Sequence, residues 1–432
     1  MREPLSLLDK HVLVLGLGDT GLSAARWVER QGGRVRVADT RASPPRKETF
    51  GGELHVGAFH GGLLQGIDLV CISPGLSLQE EIVRAALSAK IPVVGDIELF
   101  AWHNTAKVIA VTGTNGKSTV TALAGHLLRA ADVDCEVAGN IGPPVLDALR
   151  ERKAPPAAWV LELSSYQLET TRSLAPAAAA MLNLTEDHFD RYAGLAEYAA
   201  AKARIFTGGG VQVLNRDDPR SLAMALPGRK VVTFGLDAPR EPDDFGVAGD
   251  KLVHGGSVIA AVGELQIRGS HNVANALAAC ALVSILKITP DGLRTFKGLP
   301  HRLQLVATRR GVEWYDDSKG TNVGATVAAL RGLGKKVVLI LGGEGKGQDF
   351  SPLREPVRQF AAHVLLIGRD ASLISKVVPG EPCKSLEDAV ARASQVPAEA
   401  VLLSPACASF DMFRDYRHRG EAFAAAVRRL AP

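Results

Sequence analysis

The stretch Ala110–Thr119 reads A-V-T-G-T-N-G-K-S-T and follows the β-branched run K-V-I-A-V-T over 107–112. A helix-forming segment, Ala122–Arg129, comes next. This order predicts a strand, a glycine turn and a helix, which is typical of a phosphate-binding loop because backbone N–H groups and the helix N-terminus face the anion. The pattern G-x-x-x-x-G-K-[ST] requires glycine where this chain has Val111, so the loop is a variant. We expect it to bind ATP through Gly113, Thr114, Asn115, Gly116, Lys117, Ser118 and Thr119.

Candidate metal ligands follow the loop. The Ser118 hydroxyl is one, and the run W-V-L-E-L over 159–163 places Glu162 at the end of a buried strand, where its carboxylate is a second oxygen ligand for the Mg²⁺ of ATP. The segment L-N-L-T-E-D-H-F-D over 182–190 brings acidic residues and His188 after another strand, which suits a second metal. A solvated strand end or a polar turn would explain either segment alone.

Strand-like runs alternate with helix-length segments, which predicts an α/β fold with parallel sheets covered by helices. The antiparallel exception is 243–267, whose short alternating runs predict hairpins at a domain's edge. The length of 432 residues suggests about three domains, and we place their boundaries near Asp96 and Gly298, giving 1–96, 97–298 and 299–432. The predicted strands are His11–Leu15, Arg34–Ala38, Leu69–Ile72, Val108–Val111, Trp159–Leu163, Ala180–Leu184, Val211–Leu214, Lys336–Leu341, His363–Ile367 and Ala400–Leu403.

Composition excludes several classes of protein. A formal charge of +4 with dispersed basic residues and 5% aromatic residues does not favour a nucleic-acid-binding protein. The chain has no uncharged apolar run of about 20 residues, so we expect no membrane span, and its N-terminus does not resemble a signal peptide. Five separated cysteines without a C-x-x-C pair predict free thiols in a cytoplasmic protein.

The N-terminal segment contains a second glycine turn. Gly16–Gly21 reads G-L-G-D-T-G after a predicted strand, and Asp39 ends the next strand about twenty residues later. This spacing is that of a dinucleotide fingerprint, with the acidic residue placed for a ribose hydroxyl. The same geometry holds any diphosphate, so NAD and a UDP-sugar remain equally possible ligands. Ser73 begins S-P-G after the third strand, at the same sheet edge.

Further polar motifs follow later strands, where ligands of α/β proteins bind. They are H-N-V-A-N over 271–275, P-H-R over 300–302, D-D-S-K-G-T-N over 316–322, G-G-E-G-K over 342–346 and S-P-A-C-A-S-F-D over 404–411. Asn272 and Asn275, three apart, share one helix face and are able to read an adenine edge. Judged from the residues alone, Lys202 in A-A-A-K-A-R is an exposed lysine on a helix.

The chain resembles the Mur ligase family over essentially its full length. The motifs that carry the resemblance are, in order, G-T-N-G-K-S-T, L-E-L-S-S-Y-Q-L-E, N-L-T-E-D-H-F-D-R-Y, A-K-A-R, H-N-V-A-N-A-L-A-A, G-L-P-H-R and D-D-S-K-G-T-N. D-S-K-G-T-N and S-P-A-C-A-S-F-D-M-F are typical of the D-glutamate-adding branch. The resemblance implies a Rossmann-like N-terminal domain for a UDP-linked substrate, a central P-loop ATPase-type parallel-sheet domain and a Rossmann-like C-terminal domain for the amino acid.

It also implies roles for particular residues. Lys202 would carry a carbamate and become a metal ligand with Ser118, Glu162 and His188. The catalytic residues would be Lys117, Glu162, His188 and Lys202. The remaining ATP ligands would be Asn272, Arg302 and Asp317. The UDP substrate would contact Gly18, Asp19, Thr20, Asp39, Thr40, Arg41, Ser73, Asn140 and His188. D-glutamate would contact Thr321, Lys346, Ser409 and Tyr416, the last of which replaces a Phe of some relatives.

The implied activity is ATP-dependent, peptide-bond-forming ligation of D-glutamate to UDP-N-acetylmuramoyl-L-alanine in peptidoglycan precursor synthesis, and thus cell wall biogenesis, cell shape and cell division. The reaction would pass through an acyl phosphate and form ADP and phosphate, with two Mg²⁺ ions. We expect a cytoplasmic monomer whose partners are small-molecule substrates, and Gly298 as a hinge. The alternatives are a nicotinamide oxidoreductase, a folylpolyglutamate synthase-like ligase and a non-catalytic nucleotide-binding protein.

Overall fold

The computed structural model describes residues 6–188 and 191–430 as an α/β protein built on three sheets. The first sheet has the order β3-β2-β1-β4-β5, and all its strands are parallel. This is a Rossmann-like order, in which neighbouring crossovers leave a crevice at the carboxyl ends of the strands. Its elements are β1 (His11–Leu15), α1 (Asp19–Arg30), β2 (Arg34–Asp39), β3 (Glu53–Val56), β4 (Leu69–Ile72), α2 (Glu81–Ser88) and β5 (Val93–Val94), followed by α3 (Asp96–His103).

The central sheet has nine strands in the order β14-β13-β12-β11-β10-β9-β6-β8-β7. In this sheet order, all neighbouring strands between β12 and β7, including β6, pair in parallel. By contrast, β12, β13 and β14 form antiparallel hairpins at the edge, as predicted for 243–267. Its elements are β6 (Lys107–Thr112), α4 (Lys117–Ala130), β7 (Cys135–Gly139), α5 (Val145–Glu151), β8 (Ala158–Glu162), α6 (Ser165–Glu169), β9 (Ala178–Met181), α7 (Leu195–Ala203), β10 (Val211–Asn215), α8 (Pro219–Leu222), β11 (Val231–Phe234), β12 (Phe245–Ala248), β13 (Lys251–His254), β14 (Ser257–Ala261) and α9 (Ser270–Val283).

The third sheet has the order β15-β16-β20-β17-β18-β19, and only the β15–β16 hairpin is antiparallel. Its elements are β15 (Gln304–Arg309), β16 (Val312–Asp316), α10 (Val323–Leu333), β17 (Val337–Gly342), α11 (Arg354–Phe360), β18 (Ala361–Ile367), α12 (Ala371–Ser375), β19 (Glu381–Pro382), α13 (Leu386–Ala393), β20 (Ala400–Leu403) and α14 (Tyr416–Arg429). The predicted α/β class with three parallel-sheet domains is confirmed.

Burial explains which helices cover the central sheet. α4 buries Leu123, Leu127 and Leu128 on one side, a spacing of one helical turn that directs them towards the strands. α9 is apolar around most of its surface and is buried almost throughout, since it packs between the sheet and its neighbours. These two helices bring their N-terminal ends, and the polar residues there, to one side of the sheet.

The first and central sheets share one apolar cluster that includes Val14, Phe100 and Trp159, and other apolar clusters fill the remaining layers. The five cysteines are free, in agreement with the sequence prediction. Among the described residues, no helix combines the length and apolar character needed to cross a bilayer.

Candidate active site

Three cavities open at the carboxyl ends of the strands, and they contain most of the predicted site residues. The loop cavity has a volume of ≈ 450 Å³, the α9 cavity ≈ 720 Å³ and the glycine-turn cavity ≈ 520 Å³. The predicted residues lining the loop cavity are Thr114, Asn115, Gly116, Lys117, Ser118, Asn140, Glu162, His188, Lys202, Arg302, Thr321 and Lys346. Those lining the α9 cavity are Asn115, Gly116, Thr119, Asn272, Arg302 and Asp317. Those lining the glycine-turn cavity are Gly18, Asp19, Thr20, Asp39, Thr40, Arg41, Ser73 and Asn140.

The glycine loop connects β6 to α4, as its sequence predicts. Gly116 has φ +86° and is the N-cap residue of α4, a conformation that favours glycine. Asn183 holds the loop from the neighbouring strand end: its side-chain oxygen accepts from the Asn115 N–H at 2.8 Å, and its carbonyl accepts from the Thr114 N–H at 2.9 Å. The Lys117 ammonium donates to the carbonyls of Gly113 and Thr114 at 3.0 and 2.7 Å. These hydrogen bonds fix the conformation of the loop at the cavity.

Glu162 is the residue whose surroundings best fit a cation. It is the last residue of β8 and 2% exposed. Its Oε1 accepts from the Asn140 amide at 2.6 Å, whereas the buried Oε2 has no hydrogen-bond partner among the described residues. A buried carboxylate oxygen without a partner is costly unless a cation or donor approaches it. This oxygen and the Ser118 hydroxyl, which line the same cavity, fit the oxygen ligands that Mg²⁺ prefers.

Within residues 6–188 and 191–430, no cluster of three or more His, Cys, Asp or Glu side chains is arranged to hold a metal. Mg²⁺ is usually bound by one or two carboxylates together with substrate phosphates, so a site of this kind needs no larger protein cluster. The segment predicted to supply a second metal includes Phe189 and Asp190, which lie outside the described residues.

The prediction from residues alone that Lys202 is exposed is wrong. Lys202 lies in the last turn of α7 and is 1% exposed. Its ammonium donates to the Gly113 carbonyl at 2.8 Å and lies 4.7 Å from the centre of the Tyr198 ring. Burial, and then the charge of Lys117, lower the pKa of Lys202 well below its usual range. The cause of the error is that α7 is rich in alanine, so its sequence does not reveal which face is buried.

His188 lies at the mouth of the loop cavity, with its side chain 39% exposed and φ +58°. Its Nδ1 forms a hydrogen bond of 2.7 Å with the Tyr166 hydroxyl, which sets the orientation of the ring. The Asp187 carboxylate is 3.7 Å from Nε2. Tyr166 therefore positions His188 towards the cavity that also contains Glu162 and Lys202.

The α9 cavity lies between the central and third sheets. Asn272 and Asn275 lie on one face of α9, where the Asn275 amide donates to Asn272 at 3.1 Å. Arg302, from the segment before β15, donates to the Ser118 hydroxyl at 2.7 Å. Burial raises the pKa of Asp317 to about 7, against the opposing effect of a hydrogen bond from Ser404. The cavity thus joins the phosphate loop to amide and carboxyl groups from two sheets.

The glycine-turn cavity contains a fixed carboxylate. The Asp39 side chain accepts from the Leu17 N–H at 2.7 Å and from the Arg41 guanidinium at 2.6 and 2.8 Å. Burial acts to raise the pKa of Asp39, but the hydrogen bonds from Arg41 and Leu17 outweigh it and hold the pKa at about 2. Ser73 donates to the Gly16 carbonyl at 3.1 Å and so joins the second loop to the turn.

The predicted D-glutamate residues are only partly brought together. Thr321 and Lys346 line the loop cavity, but Ser409 and Tyr416 line none of the three cavities. Ser409 is 2% exposed, and the Tyr416 ring lies 4.0 Å beneath the Lys319 ammonium. Gly113 also lines no cavity, and it acts through its carbonyl, which accepts from Lys117 and Lys202.

Several side chains that line the loop cavity were not predicted as site residues, and those from the third sheet region include Lys319, Asn322 and Gln348. Lys319 also lines the α9 cavity, and its burial, together with the charges of Arg302 and Lys117, lowers its pKa to about 8. Asn322 reaches across to the phosphate loop. Its amide donates to the Asn115 side chain at 3.2 Å and accepts from it at 3.4 Å. Lys319 and Asn322 stand in the motif D-S-K-G-T-N, so the signal was present in the sequence, whereas Gln348 had none.

Comparisons with known proteins agree with this architecture. Residues 10–95 match the family described as Mur ligase MurD-like, N-terminal domain. Residues 111–283 match the Mur ligase middle domain, and residues 301–407 match the Mur ligase, glutamate ligase domain.

Two relatives align over nearly the whole chain, and both are named UDP-N-acetylmuramoylalanine--D-glutamate ligase. The protein of Nitrosospira multiformis is 53% identical over 99% of this chain and 97% of its own length. That of Thiobacillus denitrificans is 52% identical over 99% of this chain and 98% of its own length. The crystal structure of the MurF ligase from Thermotoga maritima in complex with ADP has a similar fold, with a TM-score of 0.62 at 15% identity, covering 98% of this chain and 96% of that one. The chain belongs to the Mur ligase family.

Proposed function

We propose that this chain ligates D-glutamate to UDP-N-acetylmuramoyl-L-alanine and converts ATP to ADP and phosphate. The observation that carries the proposal is the loop cavity, where Lys117 and Glu162 of the central sheet meet Thr321 and Lys346 of the third sheet region. The two relatives above, at 53% and 52% identity over nearly the full chain, carry the name of this activity. Under this proposal, ATP and D-glutamate would bind next to each other in one site.

The proposed first step transfers the γ-phosphoryl group of ATP to the alanyl carboxylate and gives an acyl phosphate. Bringing a carboxylate beside a triphosphate costs about 4 kcal/mol for each pair of unit charges at ~4 Å and an effective dielectric constant of ~20. Apart from Lys202, four lysine and arginine side chains among the described residues line the loop cavity and would offset part of this repulsion: Lys117, Arg302, Lys319 and Lys346.

Bound Mg²⁺ would neutralise phosphate charge and polarise the transferred group. Ser118 and Glu162 are the residues that would hold the ion of ATP, because one offers a hydroxyl and the other a buried, unpartnered carboxylate oxygen. His188 and carbamylated Lys202 would hold a second ion. In the carbamate, the Lys202 amine forms a bond to the carbon of CO₂ and releases a proton. Its burial supports this role, because burial lowers the pKa of Lys202 and so favours the neutral amine that is able to react with CO₂.

In the second step, the amine of D-glutamate attacks the acyl phosphate and phosphate leaves. We propose that Thr321 and Lys346 bind the carboxylates of D-glutamate from the loop cavity. The proposed contacts of Ser409 and Tyr416 with D-glutamate rest on the family resemblance alone. Asn272 and Asn275 would bind adenine, and Arg302 and Asp317 would contact the rest of the nucleotide. Acyl phosphates hydrolyse readily. The contact between the central and third sheet regions would keep water away from this intermediate, and Gly298 is the proposed hinge for closure.

The glycine-turn cavity would bind the UDP part of the acceptor. Asn140, Pro74 and Gly75 line both this cavity and the loop cavity, so a long substrate is able to pass from one to the other. A nicotinamide cofactor would leave this connection and the phosphate loop without a purpose. The proposed boundaries of the three functional units stay at residues 96 and 298.

The proposal is tested by phosphate release from ATP in the presence of UDP-N-acetylmuramoyl-L-alanine and one amino acid. We expect release with D-glutamate, together with a new UDP-linked product, and none with L-glutamate or D-alanine. Release with a different amino acid would be consistent with the ligase mechanism but would change the amino acid that the enzyme adds. No release with any amino acid would contradict the proposed function.

A further inference from the structure

One side chain in the glycine-turn cavity comes from the opposite end of the chain. The cavity is formed by residues of the first two sheet regions, except for Arg417, which lies in the first turn of α14. α14 packs on the third sheet, against β15 and β16. The third sheet region therefore reaches the cavity that the first sheet builds for the UDP-linked substrate.

The other charges of this cavity are already paired. Arg41 binds Asp39, with nitrogen and oxygen 2.6 Å apart. Asp19 lies in the first turn of α1 and binds Arg46 at 2.5 Å. Because Asp19 stands at the N-terminus of α1, it already occupies the favourable field that this helix end offers to an anion. The first sheet region thus gives the glycine turn no cation in excess over its carboxylates.

Arg417 differs from these cations. In residues 6–188 and 191–430, no carboxylate oxygen lies within 4.0 Å of its guanidinium nitrogens. Asp415 and Glu421 act on the guanidinium only from a greater distance, where their charges add to the effect of Tyr416 in raising the pKa of Arg417. Its Nε donates to the Tyr416 hydroxyl at 3.2 Å. The side chain of Asp415, which precedes it, is used to cap α14 by accepting from the His418 N–H at 2.9 Å. Because only Nε of Arg417 is used in this way, its Nη1 and Nη2 are able to donate to a ligand in the cavity.

We propose that Arg417 binds the diphosphate of the UDP-linked substrate. A planar guanidinium is suited to paired hydrogen bonds with phosphate oxygens, and a diphosphate brings at least two negative charges into a cavity whose remaining cations are neutralised. The inference rests on the proposed function and adds to it a specificity-determining residue supplied across the domain boundary. Substrate bound by the first sheet region then also attaches the third sheet region, which presents D-glutamate.

The test compares the full-length variants Arg417→Gln and Arg417→Lys with a matched control, Arg414→Gln. Arg414 is an exposed arginine three residues earlier that lines none of the three cavities. Calorimetric titration with UDP and with uridine separates the diphosphate from the nucleoside. Steady-state kinetics give KM for UDP-N-acetylmuramoyl-L-alanine and for ATP separately.

We expect Arg417→Gln to weaken UDP binding about tenfold, the size of one charge-assisted contact, and to leave uridine binding unchanged. KM for the UDP-linked substrate should rise by a similar factor while KM for ATP stays the same. Arg417→Lys should recover part of the loss, and Arg414→Gln should behave as the wild type.

Three results would overturn the inference. Equal losses for UDP and uridine would place the effect on the nucleoside, and a loss seen only with the complete substrate would place it on the muramoyl part. Unchanged UDP binding in Arg417→Gln, with normal turnover in the wild type, would show that Arg417 does not bind the diphosphate and would leave the proposed function intact. A wild type that binds no UDP and releases no phosphate would instead contradict the proposed function itself.

Discussion

At the residue scale, Lys117 carries the phosphate loop's positive charge. Its ammonium lies against the loop carbonyls of Gly113 and Thr114, so it is positioned before any nucleotide arrives. Lys117→Ala should reduce phosphate release by about 100-fold or more, since a positioned charge of this kind contributes mainly to the transition state. Lys107→Ala, which removes an exposed lysine at the start of β6, is the control. Normal turnover in Lys117→Ala would contradict the loop's proposed role.

The buried Lys202 gives a second test by chemical rescue. Lys202→Ala should lose most activity because the proposed carbamate can no longer form, and short carboxylic acids added to the assay should restore part of it by replacing that anion. The same acids should leave Lys117→Ala inactive, because that variant lacks a cation. A folded Lys202→Ala protein that still binds ATP and shows no rescue would count against carbamylation.

His301 provides a pH-dependent test of stability. Its Nδ1 lies 2.6 Å from the Asp316 carboxylate, and this hydrogen bond, opposed in part by burial, raises the pKa of His301 above its usual value; Glu421 adds to the effect and Arg417 opposes it. A histidine with a raised folded-state pKa stabilises the protein fully below its unfolded-state pKa of about 6.5, and this stabilisation disappears as the pH rises through the folded-state pKa.

The difference in Tm between the wild type and His301→Gln should therefore be largest near about pH 6 and decrease towards about pH 9. His60→Gln, at an exposed histidine, corrects for general effects of pH. A difference that grows with pH would show that the ion pair with Asp316 is not the cause.

At the scale of elements, α9 and α10 meet through a close contact between His271 and Gly332. A Cβ at Gly332 would lie 2.5 Å from Nδ1 of His271. Burial lowers the pKa of His271 to about 4, although a hydrogen bond with the Ala328 backbone opposes this, so the ring is neutral near pH 7. The small size of Gly332 therefore lets α10 approach the helix that carries Asn272 and Asn275.

Gly332→Ala should force the two helices apart, raise KM for ATP and lower turnover. His271→Ala removes the ring that the new methyl group meets, so the double variant should perform better than Gly332→Ala alone. Kinetics of the four proteins in a double-mutant cycle measure this coupling. Additive effects would mean that the two residues act independently.

The elements also show how far the sequence predicts the fold. β1, β4 and β20 match the predicted strands residue for residue, because each is a short apolar run buried on both faces. The strand predicted at 180–184 instead occupies Ala178–Met181, since Leu182 and the residues after it leave the sheet and Asn183 binds the phosphate loop. β3 is mostly exposed and lacks a long apolar run, so its sequence gave no strand signal.

The site residues also divide into those that local sequence motifs predict and those that depend on packing between distant segments. Local motifs predict the glycine turns and Glu162, because a strand, a turn and a helix are coded within a few residues. Burial of Lys202 and the approach of Asn322 to Asn115 depend on packing between distant segments, which no local pattern encodes. The proposed role of Lys202 therefore comes from the resemblance to a family and not from periodicity.

At the scale of the whole molecule, the third sheet region is docked on the phosphate loop through side-chain hydrogen bonds. The Asn115–Asn322 amide pair and the Arg302–Ser118 contact connect residues about two hundred positions apart in the sequence. Asn322 additionally caps α10 by accepting from the Ala325 N–H at 2.9 Å. One residue thus joins the phosphate loop to the helix that follows Thr321.

Asn322→Ser should keep a helix cap and lose the amide pair. The substitution also removes the donation from the Asn322 amide to the Asp187 carboxylate at 3.3 Å, so three hydrogen bonds to the central sheet region are lost. At about 1 kcal/mol each they correspond to roughly a tenfold or larger change, which we expect in KM for D-glutamate or in turnover, with Tm nearly unchanged. Asn115→Ser removes the amide pair but leaves the contact of Asn322 with Asp187, so its effect should be smaller, and the double variant should lose little more than Asn322→Ser alone. A large fall in Tm in Asn322→Ser would show that the cap, rather than the docking contact, dominates.

The shared walls of the three cavities have a consequence for inhibitor design. Pro74, Gly75 and Asn140 join the glycine-turn cavity to the loop cavity, and Asn115, Gly116, Arg302 and Lys319 join the loop cavity to the α9 cavity. Weak fragments for the two outer cavities can therefore be connected by a linker through the middle one. A linker matched to that span makes the second binding event intramolecular, so the joined compound gains affinity from effective concentration without any additional contact.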